Sequence, residues 1–213
     1  GHSGNTGATP STGPSAGRSA LHAACANGHA AVCSALLEGR ASVSAGDQRG
    51  QQPLHLAMKG GSLDVVSRLA EAQASFHVLD RDRQSALHHA ARSGAPIRLM
   101  QALQERLEAA GAPKNSGRGG RAAARGSARA TATFASLLEQ PDAWGRTPLH
   151  WAVVNGHRTA VAWLLEVGAS QAVKDNAGET PLNVAERRAQ CRAQDRPDGM
   201  GASVFGDIVT LLG

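Results

Sequence analysis

Apolar residues along this 213-residue chain fall into short stripes with helical spacing. Val161, Leu164 and Leu165 are three and four positions apart, which places them on one face of a helix. Two earlier stretches repeat this spacing: Val32, Leu36 and Leu37, and Val65, Val66 and Leu69. Each stripe predicts a short helix that buries one face against a neighbouring unit.

A second pattern recurs with a fixed period. Leu-His pairs begin at Leu21, Leu54, Leu87 and Leu149, at intervals of 33, 33 and 62 residues, and the degenerate pair Leu182-Asn183 follows 33 residues later. Such a period marks one supersecondary unit copied in tandem, which buries its apolar face only by stacking on its neighbours. We therefore predict that the function lies on a shared surface and not in a pocket.

The residues around each pair predict a helix start and a helix end. Proline suits the first helical turn, because its missing N–H costs no hydrogen bond there, and three copies carry it: Pro53, Pro148 and Pro181. Four copies place a hydroxyl residue before the helix, where it can cap the first turn: Ser19, Ser85, Thr147 and Thr180. A glycine suited to a helix end follows in four copies: Gly28, Gly61, Gly94 and Gly156.

An aspartate then opens a four-residue turn signal, which ends in glycine in three copies. The aspartates are Asp47, Asp80, Asp142 and Asp175, and the glycines are Gly50, Gly145 and Gly178. Each unit is thus predicted to be a helix pair with a projecting hairpin tip.

The fullest copy reads Gly145-Arg146-Thr147-Pro148-Leu149-His150-Trp151-Ala152, followed by Asn155-Gly156-His157. This frame resembles the ankyrin repeat over about residues 17 to 110 and 142 to 213. The resemblance implies an all-α solenoid of about five helix-turn-helix units, at about 17–49, 50–82, 83–141, 142–174 and 175–213. It also implies a structural role for the recurring histidines and the threonine before them: His22, His55, His88, His150 and Thr147. Where Gln52 replaces that threonine, we expect a weaker hydrogen-bond network.

The interval of 62 residues indicates an insertion in the third unit, near Gln104 to Pro141. Its middle, Gly111 to Thr133, holds five basic residues and no acidic one among mostly Gly, Ala, Ser and Thr, so we predict that it is disordered. The chain's net charge is +5, and this segment accounts for all of it. The sequence pI of about 9.9 therefore does not indicate a basic domain.

The two ends of the chain also depart from the repeat. Residues 1–16 are rich in Gly, Ser, Thr and Pro and predict a disordered tail or linker, and the absent initiator Met suggests a fragment or a processed form. The second helix of the fifth unit is predicted late, at Val204 to Leu212. No apolar run approaches 18 residues and no signal peptide opens the chain, which predicts an intracellular protein, cytoplasmic or nuclear, without a membrane association.

The sequence gives little support for a disulfide framework, a metal site or catalysis. The three cysteines argue against a disulfide framework, and Cys25 and Cys33 occupy apolar core positions of the repeat. His22, Cys25, His29 and Cys33 have zinc-like spacing, but both histidines recur in other copies, so we predict no metal. For His88-His89, the favoured interpretation is one structural histidine and one that faces the groove. No catalytic motif occurs, and we predict neither an enzyme nor a cofactor.

In ankyrin-like stacks, the hairpin tips and the exposed side of the first helices form a concave groove that binds partner proteins. We call this the groove surface. Its predicted partner-binding residues are Arg49, Lys59, Arg81, Arg92, Trp144, Arg146, Asn155, Arg187 and Arg188. Because basic residues dominate, we predict a monomeric interaction module whose partner carries an acidic segment.

Trp144 stands out because an indole at a hairpin tip is a plausible interface anchor. The alternative is that it folds back against Pro141 or the insertion and merely covers apolar surface. Trp151 and Trp163 are interpreted as packing residues, since other copies hold Leu56 and Ala35 at their positions.

Two further functions remain open at the level of sequence. The insertion contains an Arg-Gly-Gly unit, and its arginines would contact RNA or another polyanion: Arg118, Arg121, Arg125 and Arg129. The chain could also be the recognition domain of a larger protein, such as a ubiquitin-ligase subunit.

Overall fold

The computed structural model describes residues 17–111, 134–195 and 202–213. Within these ranges the chain forms helices and no strand, so the predicted all-α fold is confirmed. The helices are α1 (Ala20–Ala26), α2 (Ala30–Glu38), α3 (Pro53–Gly60), α4 (Leu63–Glu71), α5 (Ala86–Ser93), α6 (Ile97–Gly111), α7 (Phe134–Leu138), α8 (Pro148–Val154), α9 (Arg158–Glu166), α10 (Pro181–Asp195) and α11 (Ala202–Leu212). None of these described helices has the length and apolar character needed to cross a membrane.

The helix boundaries follow the predicted local signals. Pro53, Pro148 and Pro181 are the first residues of α3, α8 and α10. The predicted terminating glycines have left-handed backbones, with φ between 66° and 74°, and lie at or just after the end of the first helix of their unit: Gly28, Gly61, Gly94 and Gly156. Because a left-handed residue ends the helical path, the first helices of the first four units are only seven or eight residues long.

The units stack in a single row. The first helices α1, α3, α5, α8 and α10 contact one another in that order, and the second helices α2, α4, α6, α9 and α11 contact one another in the same way. The Leu-His leucines Leu54, Leu87 and Leu149 are at most 1% exposed in this core. The insertion does not interrupt the row, since α5 contacts α8 directly and α6 contacts α9.

The inserted sequence is partly helical at both ends. Residues from Gln104 onward continue α6 as far as Gly111, and α7 lies near the other end of the insertion. Phe134 of α7 is buried and meets Trp163 of α9 edge-on, with 5.8 Å between ring centroids. Trp163 is only 4% exposed, which confirms its interpretation as a packing residue. The remaining predictions for the insertion, including its disorder and its four arginines, concern residues outside the described part of the chain, as does the predicted tail at 1–16.

The fifth unit has the predicted late second helix. α11 (Ala202–Leu212) contains the predicted Val204 to Leu212, and it packs against α10 and α9. Phe205 and Ile208 of α11 are buried in the core. A longer first helix, α10, and a displaced second helix thus complete the stack at this end.

One hairpin tip carries an unfavourable backbone conformation. Arg83 has φ 59°, at a repeat position where the other units hold left-handed glycines with φ between 71° and 78°: Gly17, Gly50, Gly145 and Gly178. A side chain in this region costs roughly 1–2 kcal/mol, and the greater freedom of unfolded glycine offsets part of the gain on replacement. We expect Arg83→Gly to raise the free energy of unfolding by about 0.5–1 kcal/mol, measured by urea titration.

The matched control for this prediction is Arg81→Gly. Arg81 is an exposed arginine of the same tip without a positive φ, so its replacement by glycine is expected to lower stability slightly. Equal stabilisation of both variants would show that removing charge, and not relieving the backbone, caused the effect.

Candidate partner-binding surface

A buried aspartate organises each hairpin tip. Asp47, Asp80, Asp142 and Asp175 are between 4% and 6% exposed. In each, Oδ1 accepts hydrogen bonds from the backbone N–H groups two and four residues later. In the fourth unit these donors are Trp144 and Arg146, both at 2.9 Å from Asp142. The aspartate therefore holds its tip in one conformation and sets where the tip side chains start.

The same aspartates join successive tips. Their Oδ2 atoms accept hydrogen bonds from side chains 29 or 58 positions earlier in the chain, in the pairs Arg18–Asp47, Gln51–Asp80, Gln84–Asp142 and Arg146–Asp175. Backbone hydrogen bonds of 2.9 Å add a second link, from Arg81 N to Arg49 O, from Ala143 N to Asp82 O and from Asn176 N to Trp144 O. The four tips that begin at Asp47, Asp80, Asp142 and Asp175 therefore form a continuous row in which each tip is hydrogen-bonded to the next.

The recurring histidines of the first helices form hydrogen bonds to this row of tips. His22, His88 and His150 donate through Nε2 to backbone carbonyls of the next tip, at 2.9, 3.1 and 3.2 Å. Their Nδ1 atoms lie 2.8–2.9 Å from the hydroxyls of the capping residues Ser19, Ser85 and Thr147. Each of these histidines thus links the capping residue of its own helix to the next tip, and their structural role stays a prediction.

His55 differs from the other three. It donates to Val78 O at 3.0 Å, and its Nδ1 accepts from the backbone N–H of Gln52, whose side chain bonds Ser44 O instead. This copy lacks the hydroxyl contact, in line with the weaker network expected there. Burial lowers the pKa of His55 and of His88 to about 4, and it lowers that of His150 as well, so these rings are neutral at pH 7.

Four side chains of the groove surface meet around one indole. We call them the Trp144 cluster: Trp144, Trp151, Arg92 and Arg146. The guanidinium carbons of Arg92 and Arg146 lie 4.8 and 5.4 Å from the Trp151 ring centroid. Trp144 meets the same ring edge-on at 6.1 Å and 80°, and it remains 46% exposed. The exposed indole predicted from sequence therefore rests on a second indole in the first helix of its own unit.

Trp151 is the residue that sequence reasoning missed. It was interpreted as a packing residue, but it is only half-buried, and its Nε1–H donates to Asp142 Oδ2 at 2.8 Å. His89 occupies the same repeat position and donates to Asp80 Oδ2 at 2.9 Å. The sequence did contain a signal for this contact: a residue with a ring N–H lies nine positions after the tip aspartate, in the pairs Asp80–His89 and Asp142–Trp151.

The interpretation of His89 as facing the groove is wrong. Its side chain is buried, with 3% of the residue exposed, and its Nε2–H donates to the buried Asp80 carboxylate at 2.9 Å. Burial alone would raise the pKa of Asp80, but the hydrogen bonds from His89 and from the backbone of Gln84 hold it below its usual value.

The other predicted binding residues divide into free and engaged side chains. Of the predicted binding residues, five exposed cations make no ion pair with any described residue: Arg49, Lys59, Arg81, Arg92 and Arg188. Arg146 pairs with Asp175 at 3.2 Å and Arg187 with Glu179 at 2.7 Å. Asn155 donates to the Trp151 carbonyl at the end of its own helix, at 2.8 Å. The groove surface therefore keeps a positive excess.

The four residues with zinc-like spacing have other partners. Cys25 and Cys33 are fully buried between α1 and α2, with their sulfurs 3.7 Å apart, and burial raises the pKa of Cys25. His22 is bonded to Ser19 and Gln51, while His29 is exposed at the start of α2. Among the described residues, no three His, Cys, Asp or Glu side chains are arranged to hold a metal ion.

Comparison with known proteins agrees with this architecture. Over 39 residues, 18% of the chain, the sequence is 54% identical to the proteins named Palmitoyltransferase ZDHHC13 from Mus musculus, Pongo abelii and Homo sapiens. The match spans about 6% of the length of these relatives. A family model described as ankyrin repeats in three copies matches residues 5–80 and 120–193, more than half of the chain. The chain therefore belongs to the ankyrin repeat family, whose members are generally non-catalytic modules for protein–protein interaction.

Proposed function

We propose that this interaction module binds an acidic segment of a partner protein along the groove surface. The observation that carries the proposal is the excess of unpaired charge there. Five cations of the predicted surface lack an ion-pair partner within the described residues. The four tip aspartates are buried and hydrogen-bonded, which leaves two solvent-accessible carboxylates, Asp82 and Glu179, and Glu179 is already paired with Arg187. Acidic groups of a partner would complement this excess and steer its approach.

The arrangement of the tips supports the proposal further. The Arg81 backbone bonds the Arg49 carbonyl, so two unpaired arginines project from directly neighbouring tips. Their mutual repulsion is reduced when an anionic chain lies across both. Because the hydrogen bonds of the buried tip aspartates fix the tips before binding, little conformational entropy is lost there on association.

A fluorescent peptide of alternating Glu and Ser provides a direct test, with its Gln-for-Glu counterpart as the uncharged probe. We expect the double variant Arg49→Glu with Arg81→Glu to weaken binding of the Glu peptide by at least about tenfold in fluorescence anisotropy. Added salt should weaken the wild-type interaction as well, because the charges are exposed.

The matched control is the double variant Arg40→Glu with Arg98→Glu. It makes the same change in net charge at exposed arginines of the second-helix side, which make no ion pair within the described residues. Equal weakening by both double variants would mean that net charge and not the groove surface attracts the peptide. Equal affinity for the Glu and Gln peptides would refute the preference for an acidic segment.

A further inference from the structure

The Trp144 cluster forms a corner between two aromatic surfaces with a cation at its edge. Trp151 supplies one wall, and Trp144 stands nearly perpendicular to it at 80°. Arg92 reaches this corner from α5, while both tryptophans belong to the fourth unit. The site therefore exists only where two successive units are stacked.

We propose that this corner is a subsite for a carboxylate that lies beside an apolar side chain of the same partner segment. The inference rests on the proposed function of the groove surface, and it assigns one position of the acidic segment. The carboxylate would bind the guanidinium of Arg92, and the apolar side chain would cover Trp144.

Arg92 has the properties of a carboxylate receptor. It is exposed, makes no ion pair within the described residues, and lies over Trp151 at 4.8 Å. Stacking on an indole restricts a guanidinium while leaving its N–H groups available in their own plane. That planar fork matches the two oxygens of a carboxylate, which bind it in bidentate fashion.

The second arginine of the cluster is held in place by the scaffold. Arg146 bonds Asp175 through Nε at 3.2 Å, and this bond keeps the guanidinium carbon 5.4 Å from the Trp151 centroid. Trp151 itself is fixed by its hydrogen bond to Asp142. The charge of Arg146 is thus compensated by Asp175, whereas the charge of Arg92 is left for a ligand.

Trp144 supplies the apolar part of the subsite. Trp144 is 46% exposed, and the neighbouring Trp151 is half-buried. Both rings are therefore accessible to a ligand at the corner. Side chains two residues apart in an extended segment point to the same side, at a spacing of about 6.6 Å. Arg92 and Trp144 each lie close to the Trp151 ring, the guanidinium carbon at 4.8 Å and the Trp144 centroid at 6.1 Å from its centroid. We therefore assign the acidic and the apolar side chain to positions two apart in one extended partner segment.

The corner is specific to one pair of units. The other tips carry Arg49, Asp82 and Ala177 at the position of Trp144. The other first helices carry Ala23, Leu56, His89 and Val184 at the position of Trp151. Whereas the unpaired arginines attract acidic residues along several units, this subsite would set the register of the bound segment.

Acetylated tripeptide amides allow a test independent of the long acidic peptide. Leu-Ala-Glu carries both groups, Leu-Ala-Gln lacks the charge, and Ala-Ala-Glu lacks the large apolar side chain. Binding would be followed by the indole N–H signals of the full chain labelled with ¹⁵N-tryptophan, at peptide concentrations up to on the order of 10 mM, as weak contacts require. Single Trp→Phe variants assign the three signals.

We expect Leu-Ala-Glu to shift the signals of Trp144 and Trp151 and to leave Trp163, which is buried against Phe134, unchanged. Leu-Ala-Gln and Ala-Ala-Glu should produce shifts at least about fivefold smaller, since each lacks one of the two contacts. In Arg92→Gln the difference between the Glu and Gln peptides should vanish, and in Arg92→Lys it should persist in weaker form, because lysine keeps the charge without the fork.

Three outcomes would overturn the subsite. These are equal shifts with the Glu and Gln peptides, an unchanged preference in Arg92→Gln, or loss of that preference in the exposed control Arg98→Gln. If the tripeptides fail while the long acidic peptide still depends on Arg49 and Arg81, the subsite is wrong and the proposed function stands. If the long peptide shows no dependence on Arg49 and Arg81, the proposed function fails on its own test.

Discussion

Lowering the pH from about 7.5 to about 5 is expected to reduce the free energy of unfolding by about 4 kcal/mol through two buried histidines, His55 and His88. Both are almost inaccessible to solvent, and burial lowers the pKa of each from an ordinary 6.5 to about 4. Between these two values the unfolded chain binds protons that the folded chain excludes. The contribution of these neutral histidines to the free energy of unfolding is therefore largely present above about pH 6.5. It falls as the pH approaches 4, and about 2 kcal/mol per histidine is lost at pH 5.

The surroundings of the two rings explain why protonation is unfavourable. His55 meets His89 edge-on at 5.3 Å, and the nearby Asp80 only partly offsets the cost of burying a charge. His88 must keep Nδ1 unprotonated to accept from the Ser85 backbone N–H at 3.1 Å while Nε2 donates to the Arg146 carbonyl. A protonated ring has no acceptor nitrogen and would lose this contact.

Urea titration of the wild type and of His88→Gln at both pH values tests this account. The variant is expected to be less stable at pH 7.5, because the hydrogen bond to the next tip is altered, but its loss between pH 7.5 and 5 should be smaller by about 2 kcal/mol. His29→Gln, which replaces an exposed histidine, serves as the control and should keep the full pH dependence. A pH dependence that is unchanged in His88→Gln would contradict the assignment.

Replacing Asp142 by alanine is expected to lower the free energy of unfolding by about 2–4 kcal/mol, a large part of the stability of an ordinary domain. This carboxylate is 4% exposed and accepts four hydrogen bonds, from the backbone of Trp144 and Arg146 and from the side chains of Gln84 and Trp151. Alanine would leave these donors without their acceptor, and buried donors without a partner are costly.

Asp142→Asn separates the hydrogen bonds from the charge. The amide oxygen can still accept from the two backbone donors, and Gln84 can rotate its amide to accept from the new N–H group, so Trp151 loses most. We expect a cost of about 1–2 kcal/mol, between that of Asp142→Ala and that of the control Asp82→Ala, whose carboxylate makes no hydrogen bond within the described residues. If Asp142→Ala were no more destabilising than Asp82→Ala, the tip would not depend on this carboxylate.

The same variants connect stability to the binding surface. Because Asp142 fixes both the Trp144 backbone and the Trp151 indole, its loss should also release the Trp144 cluster. The sequence indicated that Asp142 opens a turn, since aspartate recurs there in every tip. It did not indicate that one carboxylate joins two units and orients an indole, because the residues that contact it come from different elements.

The prediction of helix starts at Pro53, Pro148 and Pro181 needed only the sequence. Proline and the terminating glycines act through their own backbone geometry, so their effect is local and repeats with the 33-residue period. The same period predicted a shared structural role for His22, His88 and His150, and these three side chains make matching hydrogen bonds in their units. For these features, local conformation and repetition carry the necessary information.

Only the tertiary structure decided which side chains share the groove surface. Arg92 and Trp151 are separated by 59 positions, yet α5 packs directly on α8, and the cation lies 4.8 Å from the ring. His89 and Trp151 share one repeat position, yet His89 is buried and Trp151 is only half-buried. Such contacts depend on how neighbouring units pack. That packing is set by the sizes and shapes of individual side chains, which differ between copies and are not contained in the repeat pattern.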